Sequence, residues 1–237
     1  MSARTEESAF LLHCTPYRET SLVVDLFTRG HGRVAAVAKG AKRPRSALRA
    51  VLLQFQPLSI SFSGRGELRT LTGAEWVGGL LAPRGDALLC AFYLNELLLR
   101  LLPREDAHPA LYDGYARAIA SLAEGEPIDE TLRRFEWLLL RETGYAPDLG
   151  HDARNLPIDD GRSYAWQPSA GFVAADAGEE GSARLFSGAM LRELAAGRFE
   201  SAASRTQAKY LTRAILAHHL DGVVLNTRQI LIDLQKL

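Results

Sequence analysis

Leu58-Ser59-Ile60-Ser61-Phe62, followed by Gly64-Arg65-Gly66 and then Glu67–Thr72, is the stretch on which the fold of this chain turns. Apolar and polar side chains alternate across the first five residues, the period of a strand with one face in a core and the other in water. Two glycines around one arginine then supply the backbone freedom that a turn between antiparallel strands needs. Toward the N-terminus the same texture recurs at Ala9–Leu12, Leu22–Phe27 and Arg33–Lys39, with Gly30-His31-Gly32 as a second turn. Five such runs before about residue 80 indicate a small Greek-key barrel. The long link from Lys39 to Pro57 matches the usual excursion between the third and fourth strands of an OB-fold, which makes that fold the leading candidate among small barrels.

Beyond Pro83 the texture becomes helical. Asp86 can cap a segment that runs to Leu102 and stops at Pro103; it is apolar nearly all round and therefore central. Further helices are bracketed by proline and glycine at Pro109–Glu124 before Gly125 and at Pro127–Thr143 before Gly144. Two more are expected at Ser187–Ala196 and Ser204–Leu220, with Asn226 able to cap a last short one. Tyr112, Tyr115, Ile119 and Leu122, and likewise Leu132, Phe135 and Leu139, follow the spacing of a core-facing stripe. Between them, residues 144–186 form an irregular acidic insert whose alternating pieces, Tyr164–Trp166 and Gly171–Ala174, predict a small hairpin. The expected class is α+β: an N-terminal five-stranded OB-fold barrel over residues 1–80, then an α-helical domain over residues 81–237.

Among the 237 residues, 28 Lys or Arg balance 28 Asp or Glu, so total charge points to no partner. The distribution is uneven: residues 1–80 hold 11 basic against 6 acidic side chains, residues 81–186 hold 10 against 18, and residues 187–237 hold 7 against 4. Leu26–Gly66 contains Arg29, Arg33, Lys39, Lys42, Arg43, Arg45, Arg49 and Arg65 and no acidic residue. Lys42-Arg43-Pro44-Arg45 falls in the long link, where several cations would project toward a common surface and phosphates are the natural counterpart. A second basic feature is Arg205, Lys209 and Arg213, four apart on one helix, where like charges repel unless an anion intervenes. Solvated loops and screened helix faces account for the same residues without any ligand. Of Phe10, Tyr17, Phe27, Phe55, Phe62 and Trp76, one or two should be free to stack on bases, Tyr17 foremost because it lies in a Pro-containing turn.

The remaining chemistry is sparse. Cys14 and Cys90 are too few for a four-thiolate zinc site, and His218 and His219 point about 100° apart on a helix, so no metal is expected. No phosphate-binding G-x-x-x-x-G-K-[ST] loop, G-x-S-x-G elbow or H-E-x-x-H helix occurs, and neither an enzymatic activity nor a cofactor is expected. The richest apolar stretch, Leu88–Leu102, is broken by Asn95, Glu96 and Arg100, and the N-terminus carries no basic-then-apolar signal, so a soluble, cytoplasmic chain with no membrane partner is expected.

Tyr17-Arg18-Glu19-Thr20-Ser21, Leu26-Phe27-Thr28, Gly32-Arg33, Ala38-Lys39-Gly40-Ala41, Gln54-Phe55-Gln56-Pro57-Leu58 and Gly64-Arg65-Gly66-Glu67-Leu68 together resemble the N-terminal half of the RecO family, and Leu225–Leu231 resembles its closing segment. The resemblance implies an OB domain followed by a helical domain, binding of single- and double-stranded DNA, and annealing of complementary strands. As partners it implies RecR, with which RecO helps load RecA, and the acidic-apolar C-terminal tail of single-strand-binding protein. Association with the nucleoid follows from that role. Arg133, Arg134 and Arg141, beside Leu132, Phe135, Leu138 and Leu139, are the residues expected to receive the tail. Many relatives carry a four-cysteine zinc module in the helical half; residues 144–186 here have no cysteine. A second reading is an OB-fold adaptor that turns the same cations toward an acidic protein, separable by titration of DNA binding against salt. A metal-dependent nuclease is the third, weakened because no carboxylates cluster in the basic half.

Overall fold

β1 (Thr5–Tyr17) is long enough to pair with two neighbours, and this closes the barrel. Its first half runs antiparallel to β4 (Pro57–Ser63), from Thr5 opposite Phe62 to Phe10 opposite Pro57. Its second half pairs with β2 (Ser21–Thr28), ending with Tyr17 opposite Ser21. A register shift between Leu11 and His13 marks a bulge, the usual device for bending a strand from one partner toward another. β3 (Gly32–Ala38) continues from β2, β5 (Leu68–Trp76) from β4, and a short parallel pairing of Ala35–Val37 with Leu68–Thr70 completes the order β1-β2-β3-β5-β4. The computed structural model describes residues 5–79, 81–175, 184–227, 229 and 230.

The alternation at Leu58, Ile60 and Phe62 points into this barrel, where they pack with Ala9, Leu11, Val24, Leu26, Ala36 and Leu71. The link between β3 and β4 is more than a loop. It contains a short helix, α1 (Ala47–Val51), whose Leu48 and Val51 pack against the barrel core beside buried Ala41 and Leu52. The β1–β2 turn is also tighter than the sequence suggests. Tyr17 is the last residue of β1, and the turn is carried by the next three residues, beginning with Arg18 at φ +52°.

Two helices complete the first compact unit, which runs to Ile128 and takes in the chain again from Leu225. α2 (Asp86–Leu101) starts from Gly85, so Asp86 stands in its first turn and caps nothing. α3 (Pro109–Glu124) has Pro in its first turn and ends on Gly125 in the left-handed region, as its flanking residues require. Tyr112 and Tyr115 of α3 meet Phe10 and Phe27 of the barrel, with ring centroids 5.0–6.0 Å apart. Inside this cluster Asn95 of α2 donates to the Leu12 carbonyl at 3.0 Å and accepts from the Tyr115 hydroxyl at 2.5 Å. Burial pushes the Tyr115 phenol far up, so it remains a neutral donor.

The second unit, Asp129–Val224, is described by itself. It holds α4 (Ile128–Glu142), a three-stranded sheet of β6 (Ser163–Gln167), β7 (Gly171–Ala174) and β8 (Leu185–Ser187), then α5 (Gly188–Ala196) and α6 (Ala202–His219). The expected hairpin is β6–β7, joined by β8 on the other edge of β6. Ser187 and Ser201 cap α5 and α6, accepting from the Met190 and Ser204 amides. His219 stacks on Tyr145 at 4.3 Å, and burial lowers its pKa. Among the described residues no group of His, Cys, Asp or Glu converges as a metal site, and no helix is long and apolar enough to cross a membrane.

Asn226, expected to cap a last helix, is itself capped. Both it and Thr227 give their amides to the Glu96 carboxylate at 2.9 Å, and the Thr227 hydroxyl adds a third bond at 2.7 Å. Burial alone would raise the Glu96 carboxyl, but the bonds from Thr227 and Asn226 outweigh it and hold the pKa below the ordinary carboxylate value. A depressed folded pKa contributes stability above the unfolded value that is lost as pH falls through the folded one. Amide-exchange protection of Asn226 and Thr227 should therefore be full at pH 7 and be lost on acidification through a range below that of an ordinary glutamate. In Glu96→Gln it should be weaker and nearly independent of pH. Protection at pH 7 as strong in Glu96→Gln as in the wild type would contradict the assignment.

Candidate nucleic-acid interface

The acid-free stretch Leu26–Gly66 is continuous in sequence and divided in space. β3 and β5 run parallel, with Ala35 beside Leu68, so the β2–β3 turn and the β4–β5 turn share one rim of the barrel. The β1–β2 turn, the start of the β3–β4 link and the end of β5 lie at the other. The cations of the stretch are thus two groups.

The first rim is not acid-free. Arg29 makes a two-pronged bond to Asp113 at 3.0 and 3.1 Å, and that carboxylate raises the arginine's pKa. Glu7 accepts from the Gly30 amide and lies 2.9 Å from His31 Nδ1. Arg33, expected among the exposed cations, is half-buried and donates to the Leu99 carbonyl, while its buried Nε has no partner. It ties β3 to α2 and is corrected from surface cation to structural residue. Arg65 is exposed at the tip of the β4–β5 turn, two residues before Glu67.

The second rim gathers the rest. Gly40, at φ +71°, turns the chain out of β3, and a series of i to i+3 bonds, Arg43 to Gly40 and Ser46 to Arg43, folds the link back on itself. The Lys42 amide then donates to the Thr20 carbonyl at 2.9 Å, which pins the link against the β1–β2 turn. This single bond brings the turn that holds Tyr17 and Arg18 beside Lys42, on the link that also carries Lys39, Arg43, Arg45 and Arg49. All six cations are exposed and none forms an ion pair within the described residues; Glu19, also exposed, is the acidic residue of that turn. Arg18 lies 5.1 Å from the Tyr17 ring centroid. Phe10, Phe27, Phe55 and Phe62 are buried in the core, and Tyr17 is half-buried. Trp76, 58% exposed at the end of β5, is the second available aromatic, with its indole N–H on Gln56. Sequence reasoning missed Arg18 because nothing links residue 18 to residue 42 until the barrel is built; its position beside Tyr17 was the available signal.

In the second unit the α6 cations have internal partners. Arg205 Nη1 is 3.6 Å from Glu130 and Lys209 Nζ 3.4 Å from Asp129, both carboxylates in the first turn of α4. Arg213 is exposed one turn further on. Of the three α4 arginines, Arg133 is a correction: it is 2% exposed and paired with buried Glu136, whose other oxygen is 2.7 Å from the Thr212 hydroxyl on α6. Arg134 is exposed, held by Glu130 at 3.2 Å and the Gly197 carbonyl at 3.0 Å, and Arg141 is exposed.

The chain is thus an α+β protein with a closed N-terminal barrel of OB type followed by helices. Residues 1–80 match the family described as Recombination protein O N terminal, and residues 83–229 the one described as Recombination protein O C terminal. Over 233 residues it is 51% identical to the DNA repair protein RecO of Ralstonia nicotianae, covering 98% of this chain and 86% of that one. It is 51% identical over 234 residues to that of Burkholderia pseudomallei, covering 98% and 84%. With that of Polynucleobacter asymbioticus it shares 48% over 238 residues, covering 98% and 97%. The chain belongs to the RecO family of DNA repair proteins.

Burial separates neighbouring arginines on α4 by their effect on stability. Arg133→Ala leaves Glu136 charged and buried, a loss of about 3–5 kcal/mol, whereas Arg134→Ala removes an exposed pair worth about 0–1 kcal/mol. Urea unfolding of the two variants checks this; similar small losses in both would show that Arg133 is not structural.

Proposed function

We propose that this chain is a non-catalytic recombination mediator, acting in the cytoplasm at the nucleoid. In this reading it binds single- and double-stranded DNA, anneals complementary strands and, with RecR, helps load RecA onto DNA coated by single-strand-binding protein. The observation that carries the reading is the second barrel rim. Six exposed cations without ion-pair partners lie on the β1–β2 turn and the link pinned to it, with a half-buried tyrosine in the same turn, and a strand laid there finds phosphate contacts and a stacking face together. Family membership supports the same reading, since the relatives are named for DNA repair.

The tail of single-strand-binding protein is the partner assigned to the second unit. With Arg133 buried, Arg134 and Arg141 are the α4 side chains left to meet a carboxylate, and Arg141 is not tied to a neighbouring helix end.

Replacing Lys42, Arg43 and Arg45 together by Ala should flatten the dependence of log affinity on log salt by about 2 for single strands, at about 0.7 per lost contact. The same variant should bind a peptide of the tail as the parent does by calorimetry, while Arg141→Ala should lose the peptide and keep DNA. An unchanged salt slope in the triple variant would remove the rim from the interface, and unchanged peptide affinity in Arg141→Ala would move the tail elsewhere.

A further inference from the structure

Arg205, Lys209 and Arg213 do more than share a face of α6. With Thr206, Tyr210, Ala202 and the Asp129 carboxylate they line a pocket of about 350 Å³. The three cations recur every fourth residue, about 6 Å apart along the axis, a row that can meet consecutive phosphates of one strand. Tyr210 is 42% exposed, and the Arg184 guanidinium lies 3.4 Å from its ring centroid, which fixes the ring at the pocket wall and adds a fourth cation beside it.

We propose that this pocket is a second phosphate-binding site for single-stranded nucleic acid, lying in the unit without the barrel, and that Asp129 and Glu130 occupy the phosphate positions when no strand is bound. The inference rests on the reading that the chain binds nucleic acid, but not on the barrel rim. Its basis is a mismatch in the ion pairs. The separations of 3.4 Å for Lys209–Asp129 and 3.6 Å for Arg205–Glu130 are long for charge-assisted bonds, and Asp129 is 62% exposed. Such pairs are weak and screened by salt, so a phosphate oxygen can replace either carboxylate. The Thr206 hydroxyl donates to the Ala202 carbonyl, so the charged donors lining the cavity are the three cations, with Tyr210 at its wall. An acidic-apolar peptide fits less well. Ala202 and Tyr210 are the apolar surface among the lining residues, too little to seat its hydrophobic side chains.

An internal competitor makes an uncommon prediction: removing a negative charge should tighten binding. The test measures affinity of the full-length chain for a fluorescent twelve-nucleotide oligothymidylate over a range of salt, with thermal melting confirming that each variant folds. Asp129→Asn should bind about two- to fivefold more tightly at low salt, the range set by one exposed ion pair. Lys209→Ala with Arg213→Ala should flatten the salt slope by about 1.4. Asp129→Asn without gain, together with an unchanged slope in the double variant, overturns the pocket; if Lys42, Arg43 and Arg45 replacement still flattens the slope, the general nucleic-acid reading survives. If neither set of variants changes the slope, both fail. Loss of an acidic-apolar peptide in the double variant, with oligonucleotide binding intact, overturns the proposal in favour of a peptide site.

Discussion

Asn95 is the residue on which the first unit depends. A buried amide is costly unless its donors and acceptor are met, and this one is met by the barrel on one side and α3 on the other. Leu12 sits at the bulge where β1 leaves β4 for β2, so the bond is made at the strand's bend. Around it Phe10, Phe27, Tyr112 and Tyr115 supply the apolar area and tilted ring contacts that favour docking. The polar bond then selects one register among the many that aromatic packing alone would tolerate. Arg33 on Leu99 and Glu96 on the returning chain fix α2 at two further points.

Function follows from what this docking leaves uncovered. Arg29 and Arg33, on the rim nearer α3, are engaged by Asp113 and by the Leu99 carbonyl, and they serve the packing of helices on the barrel. The cations on the opposite rim meet no such partners. The same barrel thus separates structural from available positive charge, and the neutral total charge of the chain conceals the division.

Much of this was legible beforehand. Alternation gave three of the five barrel strands nearly at their bounds, because each has one face in the core; the run expected to end at Thr72 continues as β5 to Trp76 through residues of which none is buried, and β1 was underestimated because Glu6 and Glu7 pair along β4 and His13 along β2 instead of patterning a single face. Pro109 and Gly125 marked α3 without error since both residues act through local backbone geometry. Long-range facts were hidden. Asn95 and Glu96 read as interruptions of an apolar run, and only the fold reveals that both are hydrogen-bonded across it. Arg133 read as outward because Leu132, Phe135 and Leu139 define a stripe, yet α4 buries Thr131, Arg133 and Trp137 as well. β8, three residues beside a helix cap, was too short to have a period. The division of the basic stretch required the parallel β3–β5 pairing, which no local pattern announces.

The central claim is that DNA lies on the rim formed by the β1–β2 turn and the β3–β4 link. Photocrosslinking of the full-length chain to short single strands carrying 5-iodouridine, followed by peptide mapping, tests it without altering any protein residue. The account predicts adducts at Tyr17 and within residues 39–49, with Trp76 as the other reachable aromatic on that rim. Adducts confined to the opposite rim, around His31 and Arg65, with residues 17 and 39–49 unmodified, would contradict it.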